Sequence, residues 1–179
     1  MKCLILAGGF GTRLYPLTIY KAKTLLGHKG KPLMSHIVDK VPRNIDILVS
    51  CNRKFEADFH RWQKGTARPV ELCVEDVWSE KQKKGAVGSL GFWVSSKNIA
   101  EDLLVIAGDN YFEFSLAEFI SGYNGKNVLV AVYNIGDRSK ASRFGVVSLN
   151  GNRIAEFQEK PAQPRSCLLY TSPSPRDRS

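Results

Sequence analysis

The apolar run Lys2-Cys3-Leu4-Ile5-Leu6-Ala7 leads directly into Gly8-Gly9-Phe10-Gly11-Thr12-Arg13, and this junction restricts the possible folds more than any other stretch. The run reads as a short buried strand, and three glycines at its end let the backbone turn sharply with no Cβ in the way. Backbone N–H groups left facing outward in such a loop make a concavity for an anion. Arg13 and, further on, Lys23 add full positive charge beside it. A nucleoside triphosphate is the kind of ligand such a loop suits.

Two well-defined phosphate motifs are excluded by inspection. The dinucleotide fingerprint needs a third glycine where Leu14 stands. A Walker A loop needs Gly-Lys-Ser/Thr after its glycines, and the chain has none there. Taken alone, Gly-Gly-x-Gly after a strand also fits a mere tight turn.

At 179 residues the chain is long enough for one α/β domain with a substantial core. No apolar run approaches the ~20 residues that span a bilayer, and the start lacks the basic-then-apolar pattern of a secretory signal. The four cysteines, Cys3, Cys51, Cys73 and Cys167, form no C-x-x-C pair and no metal-like cluster. A reduced, cytoplasmic protein is therefore expected. The formal charge of +9 raises the question of nucleic acid, but the densest run, Lys81-Gln82-Lys83-Lys84, holds only three basic residues and no nucleic-acid motif accompanies it. A basic surface that attracts phosphorylated small molecules explains the charge equally well, and neither nucleic acid nor membrane is an expected partner. The sequence carries no signal for oligomeric state.

Strand-like runs at 45–50, 70–74 and 103–107 alternate with helix-like segments, the pattern of βαβ units and a largely parallel sheet. Leu33, Ile37 and Val41 recur at helical spacing after Pro32. Phe55, Phe59 and Trp62 suggest a second helix stopped by Gly65. Val87, Leu90 and Val94 suggest a third, opened by Gly85, and Ser115-Leu116-Ala117-Glu118 has capping-box form and starts a fourth. A strand is expected over 127–135, then a hairpin of 144–149 and 153–157 about Asn150-Gly151, which gives the sheet an antiparallel tail.

The full string Gly8-Gly9-x-Gly11-Thr12-Arg13-Leu14-x-Pro16-Leu17-Thr18, followed by Lys23, Leu25-Leu26 and Gly30-Lys31-Pro32, resembles the sugar-phosphate nucleotidyltransferases, specifically their glucose-1-phosphate thymidylyltransferase-like branch. Gly85-Ala86-Val87-Gly88, Gly108-Asp109-Asn110, Arg143-Phe144-Gly145-Val146-Val147 and Glu159-Lys160-Pro161 continue the match in order, so that it runs from Met1 to about Ser166. The resemblance implies a Rossmann-like αβα three-layer α/β domain with a mixed, mainly parallel sheet. It also implies transfer of a nucleotidyl group from a nucleoside triphosphate, dTTP or UTP for preference, to a sugar 1-phosphate.

Site roles follow from the same resemblance. Leu6, Ala7, Gly8, Gly9, Gly11 and Thr12 would contact the nucleotide, with Gly85, Ala86 and Gly108 beside them. Arg13 would hold the triphosphate, and Lys23 would bridge the phosphates where the two substrates meet. Asp109 would hold Mg²⁺, a cation that takes oxygen ligands and shares them with substrate phosphates. Gly145, Glu159 and Lys160 would bind the sugar phosphate. Without the other motifs, a turn or helix-capping role is the favoured reading of Asp109, and Arg13 reads as a surface cation paired with a carboxylate.

The chain also departs from the family pattern. The family continues past Glu-Lys-Pro and supplies a second metal-binding aspartate, whereas the only acid beyond Glu159 here is Asp177, in an unmatched context. Gly27 and Thr24 stand where prolines are usual. Residues 167–179 lack periodicity and read as a non-native or disordered tail, so the expectation is a domain over 1–166, incomplete at its C-terminus, with impaired turnover. A non-catalytic nucleotide- or sugar-phosphate-binding module on the same fold is the alternative.

Overall fold

The computed structural model describes residues 1–170, which divide into two compact units, Met1–Ile120 and the segment from Ser121 onward. In the first unit, β1 (Lys2–Leu6) is followed by a small hairpin, β2 (Gly27–His28) and β3 (Lys31–Pro32), and then by α1 (Leu33–Lys40). After these come β4 (Asp46–Asn52), α2 (Glu56–Lys64), β5 (Glu71–Glu75), α3 (Gly85–Ser96), β6 (Leu103–Ala107) and α4 (Leu116–Ser121). The second unit contains β7 (Val132–Asn134), α5 (Arg138–Ala141), β8 (Gly145–Asn150), β9 (Arg153–Glu159) and β10 (Leu168–Tyr170).

The first unit is a parallel sheet of order β5-β4-β1-β6, in register from Lys2↔Asp46 and Lys2↔Leu103 onward. One face carries Cys3, Ile5, Ile47, Val49, Cys51, Leu104 and Ile106, and these pack against Met34, Ile37 and Val38 of α1 and Phe59 of α2. The other face carries Leu4, Leu48 and Cys73 beneath Trp93 of α3. Helices on both faces make the three layers expected of this sheet. Phe59 is fully buried, and such burial is worth about 1.5–3 kcal/mol for a side chain of this size. The chain runs outward from β1 to β4 and β5, then returns to place β6 on the opposite side. This is the strand-order reversal at which open α/β sheets leave a crevice beyond the strand C-termini.

The antiparallel strands form a sheet of their own, β7-β10-β8-β9, within the second unit. The predicted hairpin is present: Asn150 pairs with Arg153 across Gly151, whose φ of 58° suits glycine. The strand expected over 127–135 is confined to β7. β10 offers only three residues to pair with, and Val128 upstream is 89% exposed with no partner strand to cover it. The first residues of the tail expected from Cys167 form a strand. Leu168–Tyr170 pairs antiparallel with both β7 and β8 and buries Leu169, because β8 presents an open edge to an apolar segment. Residues 171–179, the rest of that expected tail, lie outside the described residues. The helix α3 turns Trp93 to the sheet with Leu90 packed against the same cluster, and of the expected stripe Val87, Leu90 and Val94 only Val87 is exposed.

Candidate active site

The glycine loop leaves β1 at the C-terminal edge of the sheet. The Ala7 N–H donates to the Ser50 carbonyl (2.8 Å), which carries β1 pairing one residue past the strand. Gly11 has φ +63°, a conformation that side chains rarely adopt, and a Cβ there would lie 3.1 Å from both Lys23 and Thr18. The buried Thr18 hydroxyl donates to the Gly11 carbonyl (2.7 Å), and Leu14 N–H donates to the same oxygen (2.8 Å). The loop thus closes back on itself and presents Thr12 and Arg13 on an exposed 3₁₀ turn.

Gly8 and Gly9 differ from Gly11. Neither has a positive φ, and a Cβ built on either would meet nothing within 4 Å. The fold does not require glycine at these two positions. Open space above bare backbone is what a ligand lying against the amides needs.

β6 ends beside this loop. Gly108 N–H donates to the Leu6 carbonyl (2.8 Å), and a Cβ on Gly108 would sit 3.0 Å from that oxygen and 3.2 Å from Ala7 Cβ. Glycine here lets the two strand ends approach closely, and Asp109 follows at the crevice. The Asp109 carboxylate accepts from Lys23 Nζ at 2.8 Å, with both side chains about two-fifths exposed. Leu6, Ala7, Gly11, Lys23, Gly108 and Asp109 are thereby brought to one place.

Gly85 and Ala86 open α3, and Gly85 has φ +73° with free space around it. They are tied to the same edge of the sheet through Lys84, which reaches the carboxylate of Glu75 at the end of β5.

In the second unit, Gly145 pairs in register with Glu159, and the Lys160 N–H donates to the Phe144 carbonyl (3.1 Å), so the three residues predicted for the sugar phosphate are neighbours. Tyr170 lies among them. Its hydroxyl donates to Glu159 (3.1 Å), and its ring would lie 2.5 Å from a Cβ on Gly145.

Three residues, two at the strand ends of the first unit and one in the second unit, escaped the sequence reading. Asn52 is buried at the end of β4, where its amide donates to the Gly8 carbonyl (3.1 Å) and its oxygen accepts from Phe55 N–H (3.2 Å). An Asn closing a strand ahead of a helical turn is a capping signal that could have drawn attention to it. Glu75 could have been found as an acid ending an apolar strand, the same pattern that marked Asp109. Tyr170 had no signal, since its role arises wholly from strand pairing.

Among the described residues no group of three or more His, Cys, Asp or Glu side chains surrounds a metal position. The exposed Asp109 carboxylate offers oxygen donors of the kind that Mg²⁺ takes alongside phosphates and water. Asp177 lies outside the described residues.

A family model described as nucleotidyl transferase matches residues 2–172. The chain belongs to the nucleotidyl transferase family. It is 29% identical over 174 residues to a Sulfolobus acidocaldarius protein named as a mannose-1-phosphate guanyltransferase, covering 94% of this chain and 46% of that one. It is 28% identical over 177 residues to the UTP–glucose-1-phosphate uridylyltransferase AglF of Haloferax volcanii, covering 96% of this chain and 70% of the relative. A solved Bacillus anthracis structure, named as a glucose-1-phosphate thymidylyltransferase in complex with sucrose, superposes with a TM-score of 0.77 at 27% identity, over 96% of this chain and 69% of that one. The chain spans less than half the length of the Sulfolobus protein and of several further curated relatives. No helix among the described residues is long and apolar enough to cross a membrane.

Proposed function

We propose that this nucleotidyl transferase joins a nucleoside triphosphate to a sugar 1-phosphate. An oxygen of the sugar phosphate attacks the α-phosphorus, the bond from that phosphorus to its β-bridging oxygen breaks, and pyrophosphate departs. Chemistry of this kind depends mostly on positioning and charge neutralisation. The observation that carries the reading is the Lys23–Asp109 contact of 2.8 Å beside a glycine loop whose Gly8 and Gly9 have open space above them.

The loop amides would cradle the nucleotide, and the N-terminus of α3 at Gly85 and Ala86 would lie against it. Arg13 would offset charge on the departing pyrophosphate, and Lys23 would hold the phosphates that meet at the reacting centre. Asp109 would hold Mg²⁺ together with phosphate oxygens, and the cation would supply charge neutralisation. Gly145, Glu159 and Lys160 would take the sugar phosphate, with Glu159 accepting from sugar hydroxyls.

We assign dTTP or UTP as the preferred triphosphates. The motif string supports this, as do the thymidylyltransferase and uridylyltransferase names of two relatives. The guanyltransferase name of the third makes GTP the competitor to include.

Pyrophosphate release across a panel of dTTP, UTP, GTP and CTP with glucose, mannose and N-acetylglucosamine 1-phosphates tests the proposal. Release with dTTP or UTP in the presence of Mg²⁺ is expected. Saturable nucleotide binding without pyrophosphate in any combination would replace the enzyme with a binding module of the same fold.

A further inference from the structure

The nucleotide reading leaves one buried acid unused. Glu75, at the end of β5, is 4% exposed, and both of its oxygens are engaged. Ser50 at the neighbouring strand end donates its hydroxyl to Oε1 (2.9 Å), and Lys84 Nζ lies 3.4 Å from Oε2. The Ser50 hydroxyl oxygen in turn accepts from the Trp93 indole N–H (3.0 Å). One carboxylate therefore gathers contacts from β4, from the residue that precedes α3 and, through Ser50, from the middle of α3.

The course of Lys84 is set by two further residues. A Cβ on Gly88 would lie 2.9 Å from Lys84 Cβ, so only glycine lets this lysine lie across the first helical turn. Further along, the Phe92 ring sits 4.5 Å from Lys84 Nζ and offers its face to the cation. Gly88 and Phe92 follow Lys84 at helical spacing, and Trp93 anchors the same helix to Ser50. A partly buried carboxylate–ammonium pair with hydrogen bonds on both sides holds its geometry far better than an exposed pair.

The object held is the start of α3. Gly85 has φ +73° and open space where a Cβ would stand, so no side chain of its own pins the first turn. We propose that Glu75 is a positioning residue for the nucleoside triphosphate. Through Lys84 and Ser50 it fixes the first turn of α3 against the sheet edge, and this sets nucleotide affinity without Glu75 touching the ligand. The proposal rests on the reading that Gly85 and Ala86 face the nucleotide.

The test compares the full chain with Glu75→Gln, Lys84→Met and Lys84→Arg. Titration with dTTP and UTP gives the dissociation constant, and steady-state kinetics separate the triphosphate KM from kcat. Glu75→Gln and Lys84→Met should each weaken triphosphate binding about tenfold (about 1.4 kcal/mol). The sugar 1-phosphate KM and kcat at saturating triphosphate should change less than twofold. Lys84→Arg, which keeps the cation, should restore most of the affinity, and the Glu75→Gln/Lys84→Met double variant should be no weaker than either single one. A merely structural role would lower the thermal midpoint and leave the dissociation constant alone, which overturns the proposal. Should Glu75→Gln fail to fold, the exposed Lys84 pair of variants and Gly88→Ala decide the question by the same readout. Wild-type protein that binds no triphosphate at all would remove the proposed function itself. Normal wild-type binding with unchanged variants would remove only this inference.

Discussion

Lys23 and Asp109, 86 positions apart in the chain, meet at 2.8 Å where β1 and β6 end side by side. The pair is about two-fifths exposed on each side, and an exposed ion pair contributes only about 0–1 kcal/mol to stability. On the proposed function the two groups serve a ligand, one as an ammonium for phosphates and the other as a carboxylate for a cation. Lys23→Met and Asp109→Asn should each lower kcat/KM by about 100-fold or more, with thermal midpoints near the wild-type value. A midpoint that falls in step with activity, measured by calorimetry on the same preparations, would make the pair a structural clasp.

The glycines of the loop should separate by the same logic. Gly9→Ala adds a methyl to open space at a permitted φ, so stability should hold while triphosphate affinity falls about tenfold or more. Gly11→Ala forces alanine to φ +63° against Lys23 and Thr18, and about 1–2 kcal/mol of stability should be lost from backbone strain alone. Urea denaturation alongside nucleotide titration gives both numbers for each variant.

Burial makes the core thiols reluctant to ionise. Cys3 and Cys51 are pushed up to about 12 and Cys73 to about 11, in each case chiefly by removal from water. A folded pKa above the unfolded value means that the unfolded chain loses its protons first. Stability from this source is complete below about pH 9 and declines as pH rises toward 11–12, by up to about 1.4 kcal/mol per thiol per pH unit. The urea midpoint should therefore fall over that interval. Replacing all three with alanine or valine should flatten the alkaline limb, and an unchanged limb would locate the effect elsewhere.

Gly145 is crowded by a neighbour distant in the sequence. An added Cβ would lie 2.5–2.6 Å from ring carbons of Tyr170, so Gly145→Ala should cost about 1–3 kcal/mol through overpacking. In a Tyr170→Ala background the same change should cost close to nothing. Additive losses in the double-mutant cycle would show that the alanine is resisted by something other than the tyrosine ring.

Strand β1, the glycine loop, the helices α1 to α4 and the acid at the end of β6 were all legible in the chain itself. Their signals are local: an apolar run of fixed length, glycines where a strand stops, Ser115 accepting from Glu118 N–H at 3.3 Å as a cap. Such signals act over a few residues and need no knowledge of distant partners. The order of the strands is a different matter. That β6 lies beside β1 and not beyond β5 depends on burying both sheet faces at once, with Met34 and Phe59 filling one side and Trp93 the other. Only that order carries Asp109 to Lys23, ties Asn52 to Gly8, and gives Glu75 both Ser50 and Lys84. The pairing of β10 with β8 likewise turned an apparently shapeless segment into a strand, because an open edge will take an apolar partner whatever its own local preference. Sequence alone determined which chemical groups the protein carries and which short elements bear them. Tertiary packing decided which of those groups meet, since contacts between far-apart residues come from the shared burial of whole faces rather than from any pattern a single segment contains.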